Sequence, residues 1–93
     1  MAVNFLIPGP LREFAGNRSD VQTSGDARSV NDALSLLWRE CPGLRDRVVT
    51  ERGEVRPHVN IFVDGDSIKY IGGLEAPVRD GAEIVILPAL SGG

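Results

Sequence analysis

The residues whose types and position suggest chemistry are the last two of the chain, Gly92 and Gly93. Glycine lacks a side chain and accepts almost any backbone conformation, so a diglycine terminus is thin enough to enter a narrow channel in a partner. It presents an α-carboxylate that is ionised at neutral pH and unreactive until it is activated. We therefore predict a reactive group at Gly93 and expect Ser91, Gly92 and Gly93 to enter a partner's active site. The alternative is a frayed terminus without a function, since chain ends are commonly disordered.

The residues that most often perform catalysis are isolated in this chain. His58 is the only histidine and follows Pro57, so we interpret it as a surface residue at the start of a strand. Cys41 is the only cysteine, and it lacks the cationic sequence neighbours that activate a thiolate, which favours a small buried side chain. The chain also lacks the spacings of a phosphate loop, a zinc site or a nucleophile elbow. We predict a protein that is not an enzyme and that holds no metal or cofactor of its own.

Length and composition favour one small domain that acts through other proteins. The chain has 93 residues, of which 42% are apolar and 25% charged, as in a globular domain, but it is short for both a core and a deep cleft. Ten basic residues against 13 acidic ones give a net charge of -3, which argues against nucleic-acid binding. The apolar run at residues 3–7 is too short for a signal peptide or a membrane span, and a lone cysteine suits a reducing compartment. We expect a cytoplasmic protein that is monomeric outside its complexes and has no membrane or nucleic-acid partner.

One segment has the periodicity of an amphipathic helix. Its apolar residues recur at helical spacing and form a single stripe, which consists of Val30, Ala33, Leu34, Leu37, Trp38 and Cys41. Ser29 is the predicted N-cap, with Asp32 three residues later in a variant of the capping box, and Pro42-Gly43 ends the helix. A short second helical turn is predicted at residues 44–49, followed by a polar loop at residues 50–56.

The other patterned segments alternate with the period of β-strands. Predicted strands cover residues 2–7, 19–24, 59–63, 67–70 and 83–87, and a loop or short turn covers residues 11–18. The first two strands form a hairpin in this interpretation. Asp64-Gly65 is a hairpin-turn signal, and Gly72-Gly73 and Asp80-Gly81 mark further turns.

This order of elements predicts an α+β domain with the ubiquitin-like β-grasp topology. A mixed sheet of four or five strands is covered on one face by the main helix, and the last strand joins the first in the middle of the sheet. We expect the domain at residues 1–88 and a flexible diglycine tail at residues 89–93. Apolar residues near the tail face away from the helix and form a predicted partner-binding patch, unless loops or strand curvature cover them. They are Phe62, Val85, Leu87, Ala89 and Leu90.

Three motifs carry a resemblance to a known family over nearly the whole chain. They are V-N-I-F-V-D-G-D at residues 59–66, I-K-Y-I-G-G-L at residues 68–74 and D-G-A-E-I-V-I-L-P-A-L-S-G-G at residues 80–93. The chain resembles the ubiquitin-like sulfur carriers of the ThiS and MoaD type, and most of all their CysO branch. The resemblance implies that an E1-like enzyme uses ATP with magnesium to adenylate the Gly93 carboxylate, and that sulfur transfer converts it to a thiocarboxylate. Gly92 is then the narrow neck that enters the enzyme.

The residues before the tail bear on the sulfur acceptor. Pro88 is followed by Ala89, whereas molybdopterin-synthase small subunits commonly carry two prolines there. This difference, together with Arg56-Pro57-His58, favours the CysO branch, which implies a synthase that uses the sulfur for cysteine biosynthesis and a metalloprotease that releases the product. A sulfur-containing secondary metabolite such as a thiosugar is the neighbouring acceptor. Two alternatives stay open, a ubiquitin-like modifier joined to lysines through Gly93 and a molybdopterin-synthase small subunit.

Overall fold

The alternating apolar segments pair into one mixed sheet. The computed structural model describes residues 2–88, and the strand order within them is β2-β1-β5-β3-β4. The strands are β1 (Ala2–Leu6), β2 (Asp20–Ser24), β3 (Val59–Val63), β4 (Asp66–Ser67) and β5 (Ala82–Pro88). β1 and β2 form the predicted antiparallel hairpin, and β5 lies between a parallel β1 and an antiparallel β3. The predicted β-grasp topology, with the last strand beside the first in the middle of the sheet, is confirmed.

The main helix, α1, spans Val30–Glu40 and begins and ends as predicted. The Ser29 hydroxyl accepts a hydrogen bond from the Asp32 backbone N–H at 3.2 Å, and the Asp32 carboxylate accepts one from the Arg28 backbone N–H at 3.1 Å. Both bonds satisfy backbone donors at the start of the helix. Pro42 then prevents continuation of the helix beyond Cys41.

The core lies between α1 and one face of the sheet. Fully buried side chains from four strands meet those of the helix on this face. They include Phe5, Val21, Ile61, Ile84 and Ile86 from the strands and Ala33, Leu34 and Leu37 from the helix, each at most 1% exposed. The helical stripe has one deviation, because Trp38 is only half-buried whereas Leu36, which lies outside the stripe, is buried. Leu36 packs over Gly25, where a Cβ would lie 2.8 Å from the Leu36 Cδ2 atom.

Two predicted segments differ in the structure. The predicted loop at residues 11–18 is largely a 3-10 helix at Gly9–Ala15, with Leu11 and Ala15 buried against the core. The predicted strand at residues 67–70 contributes only its first residue to β4 and then becomes a 3-10 turn at Ile68–Tyr70. The cause is local, since the Ser67 hydroxyl accepts the Lys69 backbone N–H at 3.4 Å and turns the chain away from the sheet.

Short segments close the end of the sheet at which β5 stops. They are the 3-10 helix Gly9–Ala15, a second 3-10 turn at Pro42–Leu44, and the short helix α2 at Arg45–Val48. Pro42–Leu44 and α2 occupy the position of the second helical turn predicted at residues 44–49. Val49 pairs with Val55 in an isolated bridge, so the predicted polar loop at residues 50–56 is a turn held at its base. No helix within residues 2–88 is long and apolar enough to span a bilayer.

Candidate functional site

The outer face of the sheet, opposite α1, carries an apolar row across three strands. Val85 of β5 is the register partner of Leu6 on β1 and of Phe62 on β3. All three side chains are half-buried, whereas their strand neighbours Phe5 and Ile84 are fully buried on the helix side. Neighbouring strands are about 4.8 Å apart, so the row extends about 10 Å across the sheet.

Leu87 extends this row toward the end of β5. It lies two residues beyond Val85 on the same face, beside Asn60 of β3, and is also half-buried. The structure therefore brings Phe62, Val85 and Leu87 together and adds Leu6. We call Leu6, Phe62, Val85 and Leu87 the outer-face patch. The alternation in β1 assigns Leu6 to this face, but only the parallel pairing of β1 with β5 places it beside Val85.

Acidic side chains border the outer-face patch on two sides. Asp20 of β2 is the register partner of Leu6, and Glu83 lies two residues before Val85 on the same face of β5. Both side chains are exposed. The patch therefore has the apolar centre and polar rim typical of protein interfaces.

The end of β5 is the described point closest in sequence to the terminal glycines. Pro88 is paired with Val59 at the start of β3, so the last described residue lies in a central strand. The predicted tail residues Ala89, Leu90, Ser91, Gly92 and Gly93 lie outside the described residues. Their predicted roles, and the predicted boundary between a domain at residues 1–88 and a tail at residues 89–93, remain predictions.

The beginning of β5 is held from both neighbouring strands. On the β3 side, the Asp64 carboxylate accepts the Glu83 backbone N–H at 3.0 Å, and the Asp64 N–H donates to the Glu83 carbonyl at 2.9 Å. On the β1 side, the Gly81 N–H donates to the Ala2 carbonyl at 2.7 Å, and Asp80 accepts the Ala2 N–H at the same distance. These bonds fix the register of β5 and thereby the position of its other end.

His58 and Cys41 have different surroundings. His58 is exposed at the start of β3, as predicted. Cys41 is 4% exposed, which confirms the prediction of a buried side chain. The fold nevertheless gives it a cationic neighbour, since Nη2 of Arg18 lies 3.3 Å from its Sγ atom; sequence neighbours alone do not reveal a contact 23 residues apart. Within residues 2–88, no group of three or more histidine, cysteine, aspartate or glutamate side chains is placed to hold a metal ion.

The sheet order, the single main helix and the central last strand define a ubiquitin-like β-grasp domain, here with an apolar outer-face patch beside the end of that strand. The model of the ThiS family matches residues 5–93. The chain belongs to the ThiS family.

Relatives and solved structures agree with this assignment over nearly the whole chain. The sulfur carrier protein CysO of Mycobacterium tuberculosis is 33% identical over 95 residues, covering 100% of both chains. Small archaeal modifier protein 3 of Haloferax volcanii is 34% identical over 83 residues, covering 89% of each chain. A chain in the crystal structure of the Amycolatopsis orientalis BexX/CysO complex superposes with a TM-score of 0.86 at 32% identity, covering 98% of this chain and 99% of that one. These relatives are named as carriers and modifiers and not as enzymes.

Proposed function

We propose that this protein is a sulfur carrier whose reactive group is a thiocarboxylate at Gly93. The observation that carries the proposal is the match to the ThiS family through residue 93, the second glycine of the terminal pair. The CysO relative, a sulfur carrier by name, supports it. In this role the chain is a co-substrate of other enzymes and binds no cofactor itself.

The proposed chemistry divides between the carrier and its activating enzyme. On an E1-like enzyme with magnesium, a carboxylate oxygen of Gly93 attacks the α-phosphorus of ATP, and pyrophosphate leaves. A sulfide equivalent then attacks the carbonyl carbon of the acyl adenylate, AMP leaves, and the thiocarboxylate releases its proton to solvent. The carrier supplies only the acyl group and holds it in the enzyme's active site. The reaction then takes place within a complex and not between two freely diffusing molecules. Ser91 and Gly92 are the residues proposed to pass through the enzyme's channel.

The carrier must then be recognised through its surface. We propose that the outer-face patch, continued by Ala89 and Leu90, contacts the activating enzyme and the acceptor synthase. The complex of a related CysO with BexX supports a protein partner for this fold. An apolar outer-face patch with a polar rim is typical of a surface that a protein partner recognises.

Intact-protein mass spectrometry tests the proposal directly. The protein is incubated with an E1-like adenylating enzyme, ATP, magnesium and sulfide, and we expect a mass gain of about 16 Da, because one oxygen is replaced by one sulfur. Deletion of Gly93, or addition of one alanine after it, is expected to abolish the gain while leaving the thermal melting of the domain unchanged. An unchanged mass with several adenylating enzymes of this class, each active on its own carrier, would contradict the proposal.

The favoured acceptor is an activated serine derivative in cysteine biosynthesis, supported by the CysO relative. The thiocarboxylate form is incubated with a synthase that uses such a derivative, and a carrier–cysteine adduct is expected, which a metalloprotease then cleaves. Transfer of sulfur to a sugar substrate in the absence of any cysteine adduct would instead assign the protein to secondary metabolism.

A modifier role is the second candidate, and the similarity to small archaeal modifier protein 3 favours it. Activation is shared up to the adenylate, after which a lysine amine takes the place of the sulfur nucleophile. Tagged protein expressed in its own cells would then form higher-mass conjugates that retain a diglycine remnant on lysine after digestion. Recovery of the tagged protein only in its free form would exclude this role.

A further inference from the structure

A concave basic site lies at the end of the sheet where β5 stops. Its volume is about 510 Å³, and none of its lining residues belongs to the outer-face patch. It is lined by Phe14, Gly43, Asp46, Arg47, Arg56 and His58. We call it the arginine pocket.

Both arginines of the pocket are oriented by contacts that are not salt bridges. The Arg47 guanidinium lies over the Phe14 ring, with its Cζ atom 4.2 Å from the ring centroid. The Arg56 Nε donates to the Asp46 backbone carbonyl at 2.7 Å. Within residues 2–88 neither arginine forms a salt bridge, and the Asp46 carboxylate pairs instead with Arg45 at 3.3 Å.

The pocket holds two guanidinium groups and one carboxylate, that of Asp46, whereas the chain as a whole is acidic. The net charge is -3, and the exposed charges bordering the outer-face patch, Asp20 and Glu83, are acidic. Two guanidinium groups held in place by a ring and a carbonyl lose little side-chain freedom when they bind an anion, which favours binding. The arrangement therefore suits a ligand with negative charge.

The position of the pocket identifies the kind of ligand. His58 is the residue before Val59, the register partner of Pro88, and Arg56 lies three residues before Val59. A protein that binds the chain next to Pro88 approaches this end of the sheet, where the pocket also lies. A guanidinium fork matches a planar carboxylate, and the Phe14 ring offers apolar surface to the methylene groups of a glutamate side chain.

We propose that the arginine pocket binds carboxylate side chains of an acidic segment on the protein partner that receives the chain after Pro88. This inference rests on the proposed function for the existence of that partner. The pocket would add charge complementarity beside the apolar outer-face patch, which mainly raises the rate of association and selects among partners.

The first experiment examines the pocket without any partner enzyme. Hexaglutamate and inorganic phosphate are titrated separately into the labelled protein, and the arginine side-chain N–H resonances are followed by NMR. We expect hexaglutamate to shift the Arg47 and Arg56 resonances saturably and to bind several-fold more weakly when the salt concentration rises from 50 to about 200 mM, because screening weakens exposed charge pairs. The R47Q/R56Q variant should lose this response. The control variant R28Q/R79Q, which removes two arginines near the other end of the sheet, should retain it.

Three results of the titration would overturn the inference. They are tighter binding of phosphate than of hexaglutamate, an equal loss in the control variant, and no saturable shift at either arginine. Dispersed amide spectra of both variants establish that they are folded, and R47K/R56K provides a second variant that keeps the charge but loses the planar fork. We expect it to bind hexaglutamate with an affinity between those of the wild type and R47Q/R56Q.

The second experiment measures thiocarboxylate formation. R47Q/R56Q should raise the KM for the carrier about tenfold, equivalent to about 1.4 kcal/mol, with kcat unchanged, because the pocket acts in binding and not in the chemical step. A lower kcat at unchanged KM would contradict the inference. If the wild type gains no sulfur, the proposed function fails, and the titration still decides whether the pocket binds carboxylates.

Discussion

Replacing Val85 by aspartate tests whether the outer-face patch is an interface. Val85 lies between Leu6 and Phe62 and is only partly exposed, so a partner that covers the patch removes at most about a third of its side chain from water. Fully burying a valine is worth about 1.5 kcal/mol, and a third of that, about 0.5 kcal/mol, corresponds to about twofold weaker binding for V85A. In V85D a carboxylate must also lose its hydration against an apolar surface, which costs several kcal/mol. We expect at least a hundredfold loss of affinity for V85D.

The matched control is the neighbouring residue on the same strand. Ile84 is 0% exposed on the helix side, so I84A leaves a cavity and should lower the free energy of unfolding by about 3 kcal/mol. V85D should lower it by less, about 1 to 2 kcal/mol, because part of this side chain remains in water. Both variants are expected to remain folded at 25 °C, since domains are stable by about 5 to 15 kcal/mol.

Binding is measured by calorimetry against the activating enzyme and, separately, against Amycolatopsis orientalis BexX, and stability by urea unfolding. We expect opposite rankings in the two assays, with V85D the weaker binder and I84A the less stable protein. Affinity of V85D within twofold of the wild type for both partners would refute the assignment of the patch as an interface. Equal destabilisation by the two substitutions would refute the assignment of their faces.

Three further predictions concern stability and reactivity. S29A removes the N-cap oxygen that accepts the Asp32 N–H and should lower Tm by about 5 °C. The control S35A, on the exposed face of the same helix, should leave Tm unchanged or raise it slightly. Equal losses of Tm in the two variants would contradict the capping role of Ser29. G25A should cost about 2 kcal/mol in urea unfolding, because the residue has φ of +142° and a Cβ would lie 2.8 Å from Leu36, and a neutral result would show that the loop relaxes. The Cys41 thiol, 4% exposed, should react with a maleimide at least tenfold more slowly in the native protein than in urea, and equal rates would contradict its burial.

The elements whose apolar residues repeat with one regular spacing, that of a helix or of a strand, were predictable from the sequence. α1 has an uninterrupted apolar stripe between a capping serine and a proline, and β5 is a dense β-branched run, so local preference and burial agree in both. The 3-10 helix at Gly9–Ala15 was not predictable, because Arg12 and Glu13 interrupt its apolar residues and its stability comes from Leu11 and Ala15 packing on the core.

The candidate site also has one part that was predictable from the sequence and one part that was not. Phe62, Val85 and Leu87 share a face because of strand alternation, which the sequence displays. Leu6 joins them only through the parallel β1–β5 pairing, which depends on the tertiary fold. The arginine pocket depends on three separate stretches of chain that carry Phe14, Arg47 and Arg56, and no local spacing relates them.

The central position of β5 bears on the proposal that a partner binds the residues after Pro88. A partner that binds the chain beyond Pro88 exerts its forces on the strand before it. An edge strand has ladder bonds on one side only, whereas β5 pairs with β1 on one side and β3 on the other. Its inward side chains Ile84 and Ile86 are also 0% exposed, so displacing β5 opens the core. Under the proposed function, the energy of partner binding would therefore act on the segment beyond Pro88 and leave the outer-face patch and the arginine pocket in place, so that a partner could contact both surfaces while it positions the terminus.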